Sequence, residues 1–236
     1  MSAIPTHLNE ILQIVGELSA QSLRTLAVFD LDSTLFNVST RTQKILNEFA
    51  DERGLDHLKA IAVHPQDWGL QEAFARAGFS GEKDAELMKD LRHYWARKFF
   101  SNEYLHYDVP YLGAVTFVQE LADSGCDIKY LTGRDVARMQ KGTEDVLRKW
   151  GFPLEPDMLH LKPDLEVDDE LFKQDWFRQL DQSSYRKVFF FENEPVNVNA
   201  ISANCPHVEI IFVDTTHSRK QEMTLPLKKI KNFHRG

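Results

Sequence analysis

The sequence predicts an α/β fold in which a doubly wound parallel sheet carries an inserted α-helical subdomain. An apolar run over residues 27–31 is typical of a buried strand that stops at a loop. Residues 37–107 contain helical stretches and no convincing strand, whereas residues 111–214 alternate between helix and strand. The chain is therefore expected to divide into a core formed by residues 1–36 and 108–236 and a helical insertion over residues 37–107.

The composition is that of a globular protein with an acidic surface. Apolar residues make up 42% of the 236 residues, charged residues make up 27%, and the formal net charge is −8. An acidic surface argues against nucleic acid as a main partner. Cys126 and Cys205 form no CxxC pair, which fits a reduced, cytoplasmic protein without a thiolate zinc site. No apolar run reaches the length of a membrane span, so we expect no membrane partner.

The core is predicted to begin with an amphipathic helix over 8–23, followed by the first strand. This strand leads into Asp30 and Asp32, two carboxylates that would share one side if the strand continued to residue 35. Their mutual repulsion is tolerable if a cation lies between them or if one of them is protonated. Either arrangement is useful chemistry, namely a Mg²⁺ site or a nucleophile beside an acid or base.

An Asp-x-Asp pattern also has simpler explanations, since it occurs in turns and at helix N-termini. A calcium loop fits poorly, because Leu35 stands where that loop needs glycine and Thr34 stands where it prefers Asp or Asn. The position of the two acids at the carboxyl end of a strand favours a functional site, because open parallel sheets bind their ligands at that end.

The insertion is predicted to contain three helices, over 40–53, 66–77 and 82–100. It is rich in aromatic residues, which are Trp68, Phe74, Tyr94, Trp95, Phe99, Phe100, Tyr104 and Tyr107. We expect most of them to form the small core of the insertion. A few could instead line a substrate pocket that faces the loop after the first strand.

After the insertion, helices and strands alternate as they do in a parallel sheet that is covered on both faces. Helices are predicted over 111–124, 137–150 and 169–180, and strands over 127–131, 158–161, 187–191 and 209–213. The strand over 187–191 is apolar nearly throughout, as a central parallel strand should be. The basic run over 228–231 is predicted to be a solvated tail.

Polar clusters follow three of the predicted strands. They are Asp30 with Asp32, Thr132 with Gly133 and Arg134, and Glu192 with Asn193. Because the carboxyl ends of parallel strands meet at one edge of a sheet, we expect these clusters to lie close together. Acids, a hydroxyl beside glycine and an acid–amide pair suit the binding of metal and phosphate. Other catalytic signatures, such as a P-loop, a GxSxG elbow or an HExxH motif, do not occur in the sequence.

Together these segments resemble the motifs of the haloacid dehalogenase-like (HAD) superfamily. In chain order the resemblance rests on Asp30-x-Asp32-x-Thr34, Thr132-Gly133-Arg134, a later lysine and Glu192-Asn193. It implies a Rossmann-like core with a helical cap inserted after the first strand. The last motif departs from the commonest form, which has Asp where Asn193 stands. A neutral amide ligand lowers the charge of a metal site, so we expect modest Mg²⁺ affinity.

The resemblance implies a Mg²⁺-dependent phosphatase that acts on a small phosphorylated metabolite through an aspartyl-phosphate. Asp30 is implied to be the nucleophile, and Asp32 the acid and base. Mg²⁺ would be held by the Asp30 carboxylate, the Asp32 carbonyl and Asn193, with Glu192 as an alternative or supporting ligand. The dehalogenases and phosphonatases of the superfamily lack an aspartate at the position of Asp32, which favours phosphatase chemistry.

Further groups are implied to bind the phosphate or the rest of the substrate, and these are Thr132, Gly133 and Arg134. Two lysines compete for the remaining phosphate contact. Lys162 directly follows the third predicted strand of the core, whereas Lys173 lies about one turn into the helix over 169–180. We favour Lys173, because a first-turn side chain lies close to the strand ends. The competing interpretation is that Lys173 pairs with Asp169 on an exposed helix.

Two other functions are compatible with the same residues. A catalytically silent HAD-like domain would bind a partner or a ligand, and the departure at Asn193 keeps this alternative open, although the intact pair Asp30 and Asp32 argues against it. A phosphoryl-transferring mutase needs the same residues as a phosphatase.

Overall fold

The core is built on a six-stranded parallel sheet. The computed structural model describes residues 7–79 and 84–235. The strands are β1 Thr25–Phe29, β4 Cys126–Asp135, β5 Leu159–Lys162, β6 Lys187–Glu192, β7 Val208–Val213 and β8 Lys228–Ile230. They are arranged in the order β5-β4-β1-β6-β7-β8, so β1 lies between β4 and β6. The predicted α/β class with a parallel sheet is confirmed.

Helices cover both faces of this sheet. They are α1 His7–Ala20, α5 Ala114–Asp123, α6 Val136–Trp150, α7 Asp169–Gln179 and α8 Pro195–Asn204. On β1, Ala27 and Phe29 pack with α1, α5 and α6, whereas Leu26 and Val28 pack with α7 and α8. Because successive strand residues point to opposite faces, a strand covered on both faces must be apolar throughout. None of the described helices has the length and apolar character needed to cross a membrane.

As predicted, the first strand stops at a loop: β1 ends at Phe29, and the chain over 30–35 forms a tight loop. Several other elements differ from the prediction. Strand β4 continues past residue 131 to Asp135. The sequence did not predict α8, whose apolar residues show no helical periodicity. The prediction of a solvated tail over 228–231 is wrong, because β8 pairs with β7 as an edge strand, and exposed lysines are common on such edges.

The segment between residues 37 and 109 is helical and is called the cap below. It contains α2 Ser39–Arg53, α3 Leu70–Arg76, α4 Ala85–Phe99 and two 3-10 helices, Asp56–Ala60 and Asn102–Tyr107. The start of the predicted helix over 82–100 lies outside the described residues. Two short strands, β2 Phe36–Asn37 and β3 Val109–Pro110, pair antiparallel where the cap leaves and rejoins the core.

Most cap aromatics belong to a separate apolar cluster within the cap. Phe74, Tyr94 and Phe99 are buried in it, and Trp95 and Phe100 pack against it while half-buried. The cap therefore has its own small core, separate from the two clusters that flank the sheet.

Candidate active site

The loop after β1 directs two carboxylates toward the cap. The Asp30 N–H donates a hydrogen bond of 3.0 Å to the Phe191 carbonyl on β6, which holds residue 30 at the sheet edge. The chain then turns at Ser33, whose φ of 62° lies in the left-handed region. A backbone bridge between Asp32 and Phe36 closes the turn. Asp30 and Asp32 consequently enter different surroundings instead of projecting from one strand face.

Asp30 is paired with a buried lysine. Lys173 Nζ lies 2.7 Å from Asp30 Oδ1 and 2.7 Å from Glu192 Oε2. Burial raises the pKa of Asp30 to about 7, although the Lys173 ammonium lowers it. The pKa of Lys173 is raised, because the two carboxylates outweigh its burial. The N-terminal cap of α7, where Asp168 accepts from the Leu171 N–H at 3.0 Å, sets the helix start that aims this lysine.

Asp32 faces arginines. Arg41 Nη2 lies 2.9 Å and Arg134 Nε lies 3.2 Å from Asp32 Oδ1. Although burial raises the pKa of Asp32, the charges of Arg134 and Arg41 outweigh it and hold the pKa at about 2. Each carboxylate of the Asp-x-Asp pair is therefore balanced by its own cation in the protein itself.

The two arginines also share a second acid, Asp108, at the point where the chain returns from the cap. Arg41 Nε lies 3.0 Å from Asp108 Oδ1, and Arg134 Nη2 lies 2.7 Å from Asp108 Oδ2. Arg41, Arg134 and Asp108 are each no more than 2% exposed. Burial raises the pKa of Asp108 to about 6, against the opposing effect of the arginines. The predicted substrate residue Arg134 thus directs its guanidinium at two protein carboxylates.

The acid–amide pair after β6 is oriented by its neighbours. Glu192 Oε1 accepts from the backbone N–H groups of Asn193 at 3.0 Å and Glu194 at 2.9 Å. The Asn193 Nδ2 group donates to the Thr216 carbonyl, and its Oδ1 accepts from Thr34 Oγ1 at 2.8 Å. The amide oxygen therefore faces the β1 loop, while the Glu192 carboxylate is engaged by Lys173 and by the backbone.

Thr132 and Gly133 lie on β4 beside the start of α7. Thr132 is 1% exposed, and its Oγ1 accepts a 3.3 Å hydrogen bond from the Arg134 N–H. A Cβ on Gly133 would lie 2.5 Å from Asp169 Oδ2, so any other residue here would require the Asp169 side chain to move. Asp169 pairs with Lys162, which also donates to the Val167 carbonyl at 2.8 Å. Asp169 therefore pairs with Lys162, and not with Lys173 as the competing interpretation of the sequence proposed.

All predicted site residues line one cleft between the sheet edge and the cap, with a volume of about 950 Å³. They are Asp30, Asp32, Thr132, Gly133, Arg134, Lys173, Glu192 and Asn193. Side chains of the cap and of the loops after β5 and β7 complete the walls. The tertiary structure thus brings together groups that are up to 163 residues apart in the chain, from 30 to 193.

The oxygen atoms at this edge match the ligand preference of Mg²⁺. The Asp30 carboxylate, the Asp32 carbonyl and the Asn193 amide are hard oxygen donors. The orientation of Asn193 agrees with this use, because its oxygen is turned toward the loop that carries the two aspartates. Within the described part of the chain, no group of three or more His, Cys, Asp or Glu side chains is arranged to hold a metal ion.

Sequence reasoning missed Arg41 and Asp108. The sequence places Asp108 at the boundary of the insertion and Arg41 in a predicted helix, and it indicates no role in the site for either residue. A signal was available, since both lie where the chain enters or leaves the cap, next to the strand ends. Their pairing with Asp32 depends on three separate segments meeting, which no local pattern reports.

The chain belongs to the haloacid dehalogenase-like hydrolase family. The sequence model of that family matches residues 25–162, which is more than half of the chain. This match includes the β1 loop, the cap and β4. The comparison with curated proteins finds no match.

Solved structures agree with this assignment at the level of the fold. A protein described as a haloacid dehalogenase-like hydrolase from Burkholderia xenovorans LB400 has a TM-score of 0.54 and 13% identity, and the match covers 89% of this chain and 94% of that one. CbbY from Rhodobacter sphaeroides, solved in complex with phosphate, has a TM-score of 0.51 and 13% identity, with 89% and 95% covered.

Proposed function

We propose that this hydrolase is a Mg²⁺-dependent phosphatase that cleaves the phosphate monoester of a small metabolite through an aspartyl-phosphate on Asp30. The observation that carries the proposal is the buried contact of Lys173 with both Asp30 and Glu192 at the floor of the cleft. A buried lysine beside a nucleophile can neutralise the charge that an incoming phosphoryl group brings.

In the first step, a carboxylate oxygen of Asp30 forms a bond to phosphorus, and the bond from phosphorus to the alcohol oxygen breaks. Lys173 Nζ already lies 2.7 Å from Asp30 and can donate to a phosphoryl oxygen at the same place. The Thr132 hydroxyl oxygen accepts a hydrogen bond from the Arg134 N–H, so its own proton is free to be donated to a phosphoryl oxygen. These contacts orient the phosphoryl group for in-line attack.

Asp32 is assigned to proton transfer on the leaving-group side. The arginine contacts keep its carboxylate ionised, which suits the second step, in which Asp32 takes a proton from the water that attacks the aspartyl-phosphate. To give a proton to the departing alcohol in the first step, Asp32 first takes one up from solvent, and this requires its contacts with Arg41 and Arg134 to loosen when substrate binds. Arg134 is therefore given the role of positioning Asp32, in place of the predicted contact with substrate.

Mg²⁺ would be held by the oxygens of Asp30, Asp32 and Asn193, with Glu192 supporting the lysine. When bound there, Mg²⁺ offsets the negative charge of the phosphate and helps to orient it. The Glu192 carboxylate, fixed by two backbone N–H groups, holds Lys173 in place rather than acting as a ligand.

Hydrolysis of p-nitrophenyl phosphate with and without Mg²⁺ tests this function, together with the variant Asp30→Asn and the control Asp123→Asn on the exposed end of α5. We expect Mg²⁺-dependent release of phosphate, acid-stable labelling of Asp30, and loss of both in Asp30→Asn only. A chain that cleaves no phosphate ester would be a silent binding domain. Transfer of the label to a phosphosugar acceptor in preference to water would identify a mutase.

A further inference from the structure

One wall of the cleft is formed by aromatic side chains at the end of α4. Trp95, Phe99 and Phe100 all line the cleft. The rings of Trp95 and Phe99 are stacked with centroids 4.3 Å apart, and Phe100 meets Phe99 edge-on at 5.1 Å. Trp95 and Phe100 are half-buried, so part of each ring surface remains accessible from the cleft. These three residues are called the aromatic wall.

Polar neighbours fix the aromatic wall in place. Trp95 Nε1 donates to Thr42 Oγ1 at 3.2 Å. The Arg41 guanidinium lies 3.8 Å from the centroid of the Phe99 ring, a cation–π contact. Because these side chains are ordered before any ligand arrives, a ring that stacks on them loses little free energy to the immobilisation of protein side chains.

The aromatic wall begins on the leaving-group side of the site. The Arg41 guanidinium lies over the Phe99 ring, and its Nη2 donates to the Asp32 carboxylate. Lys173, which is assigned to the phosphoryl group, contacts Asp30 instead. In the proposed reaction, the alcohol that departs on the side of Asp32 therefore meets the aromatic wall, whereas the phosphoryl group does not.

Two exposed apolar side chains also line the cleft. Trp68 of the cap is 55% exposed, and Leu165 of the loop after β5 is 57% exposed. A single exposed apolar side chain needs no explanation. Two large ones in the lining of one cleft, one from the cap and one from the core, add to the apolar surface that the aromatic wall offers a ligand.

We propose, relying on the phosphatase function above, that the substrate is a phosphate monoester whose leaving group carries a planar aromatic ring. The ring stacks on the accessible part of Trp95, which Phe99 supports from behind, while the phosphate contacts Lys173. The cleft volume of about 950 Å³ is large enough for such a ligand. Aromatic pairs favour offset or edge-on stacking, which a saturated ring of the same size cannot form.

The test compares benzyl phosphate with cyclohexylmethyl phosphate in the presence of Mg²⁺. Both esters release a primary alcohol of the same carbon number, so they differ mainly in the aromaticity of the ring. We expect kcat/KM to favour benzyl phosphate by about three- to tenfold. Equal values for the two esters, or a preference for the saturated ring, would overturn the inference.

Two tryptophan variants locate the effect. Trp95→Leu should reduce the preference for benzyl phosphate to below about twofold, because leucine keeps apolar area but removes the ring. Trp176→Leu is the matched control, since Trp176 packs against His160 and Phe177 and does not line the cleft. It should keep the wild-type preference. A full preference in folded Trp95→Leu would remove the aromatic wall as its cause.

Acetyl phosphate separates failure of this inference from failure of the phosphatase function. Its leaving group is small and carries no ring. If the protein cleaves acetyl phosphate but neither ring ester, the substrate class is wrong and the phosphatase function stands. If acetyl phosphate is also left intact with Mg²⁺ present, the proposed function itself is overturned, and the substrate class falls with it.

Discussion

Arg41 Nη2, on the first helix of the cap, lies 2.9 Å from Asp32 Oδ1 on the loop after β1. The same guanidinium reaches Asp108, the residue at which the chain returns from the cap. Arg41 and Asp108 are fully buried, so their contact is shielded from solvent and from salt, whereas the Asp32 side chain is 30% exposed. The base of the cap and the loop of Asp32 consequently form one charged cluster, and a rotation of the cap about its two connections must disturb the surroundings of Asp32.

Lys173→Met should lower turnover by about 10²–10³-fold, the usual cost of removing one donor to a developing negative charge. The buried lysine is the only part of α7 that contacts Asp30 in the described hydrogen bonds. Lys162→Met is the control, because Lys162 pairs with Asp169 and lies outside the cleft lining. Steady-state kinetics at saturating Mg²⁺ measure both. A crippled Lys162→Met beside an active Lys173→Met would reverse the assignment.

The same Lys173→Met change should also destabilise the metal-free protein. Asp30 and Glu192 would remain buried without their cation, and breaking a buried pair by removing one partner costs about 3–5 kcal/mol. Urea unfolding in the presence of a chelator measures this free energy. An unfolding midpoint equal to that of the wild type would mean that the lysine contributes nothing to the fold.

Arg134→Met should lower the free energy of unfolding by about 3 kcal/mol or more, because Asp108 is left buried with one arginine instead of two. Arg148→Met on α6 is the control. Its partner is Glu144, the two side chains are 59% and 31% exposed, and surface pairs contribute less than about 1 kcal/mol. Unfolding followed by tryptophan fluorescence compares the two. Similar losses in both variants would contradict a special role for the buried cluster.

Asn193→Asp should lower the Mg²⁺ concentration that gives half-maximal activity. Replacing a neutral amide oxygen by a carboxylate adds negative charge to a site of hard oxygen donors. The variant loses the donor to the Thr216 carbonyl, so some loss of stability is expected alongside. A Mg²⁺ titration of activity provides the measurement, with Asn199→Asp as control, because Asn199 is a half-buried residue of α8 outside the cleft lining. An unchanged Mg²⁺ requirement would argue against residue 193 as a ligand.

Asp67 in the cap gives a pH-dependent contribution to stability. Burial raises its pKa, but hydrogen bonds from Arg76 and from the His64 N–H outweigh burial and hold the pKa below its usual value. A lowered pKa stabilises the folded state above the unfolded pKa of about 4, and this contribution is lost as the pH falls through the folded pKa. Asp67→Asn should therefore be less stable than wild type at pH 7, with a difference that shrinks below about pH 4.

Urea unfolding of both proteins at several pH values measures the difference between their free energies of unfolding. The titration of the other carboxylates, which are common to the two chains, cancels in this difference. A difference that grows as the pH falls would mean that Asp67 is stabilised in its protonated form.

Local pattern was sufficient for the α/β class and for the order of the elements. The apolar run that becomes β1 and the run that becomes β6 have no polar position, because the sheet is covered on both faces. Polar residues that follow such strands share one sheet edge by geometry, which is why the predicted residues line one cleft. The elements that escaped prediction lack a local pattern, since α8 has no helical periodicity and β8 is a short basic edge strand.

Only the tertiary structure decided which charged side chains pair with one another. The place of Lys173 near the start of a predicted helix favoured it over Lys162 but did not name its partners, whereas the packing of α7 against β4 and α8 turns Lys173 toward Asp30 and leaves Lys162 with Asp169. Arg134 belongs to the second polar cluster, as a substrate ligand would, but its guanidinium pairs with Asp108, which follows the cap in the chain. Periodicity along a chain reports which face of an element is buried, whereas the pairing of two buried charges depends on where distant segments meet.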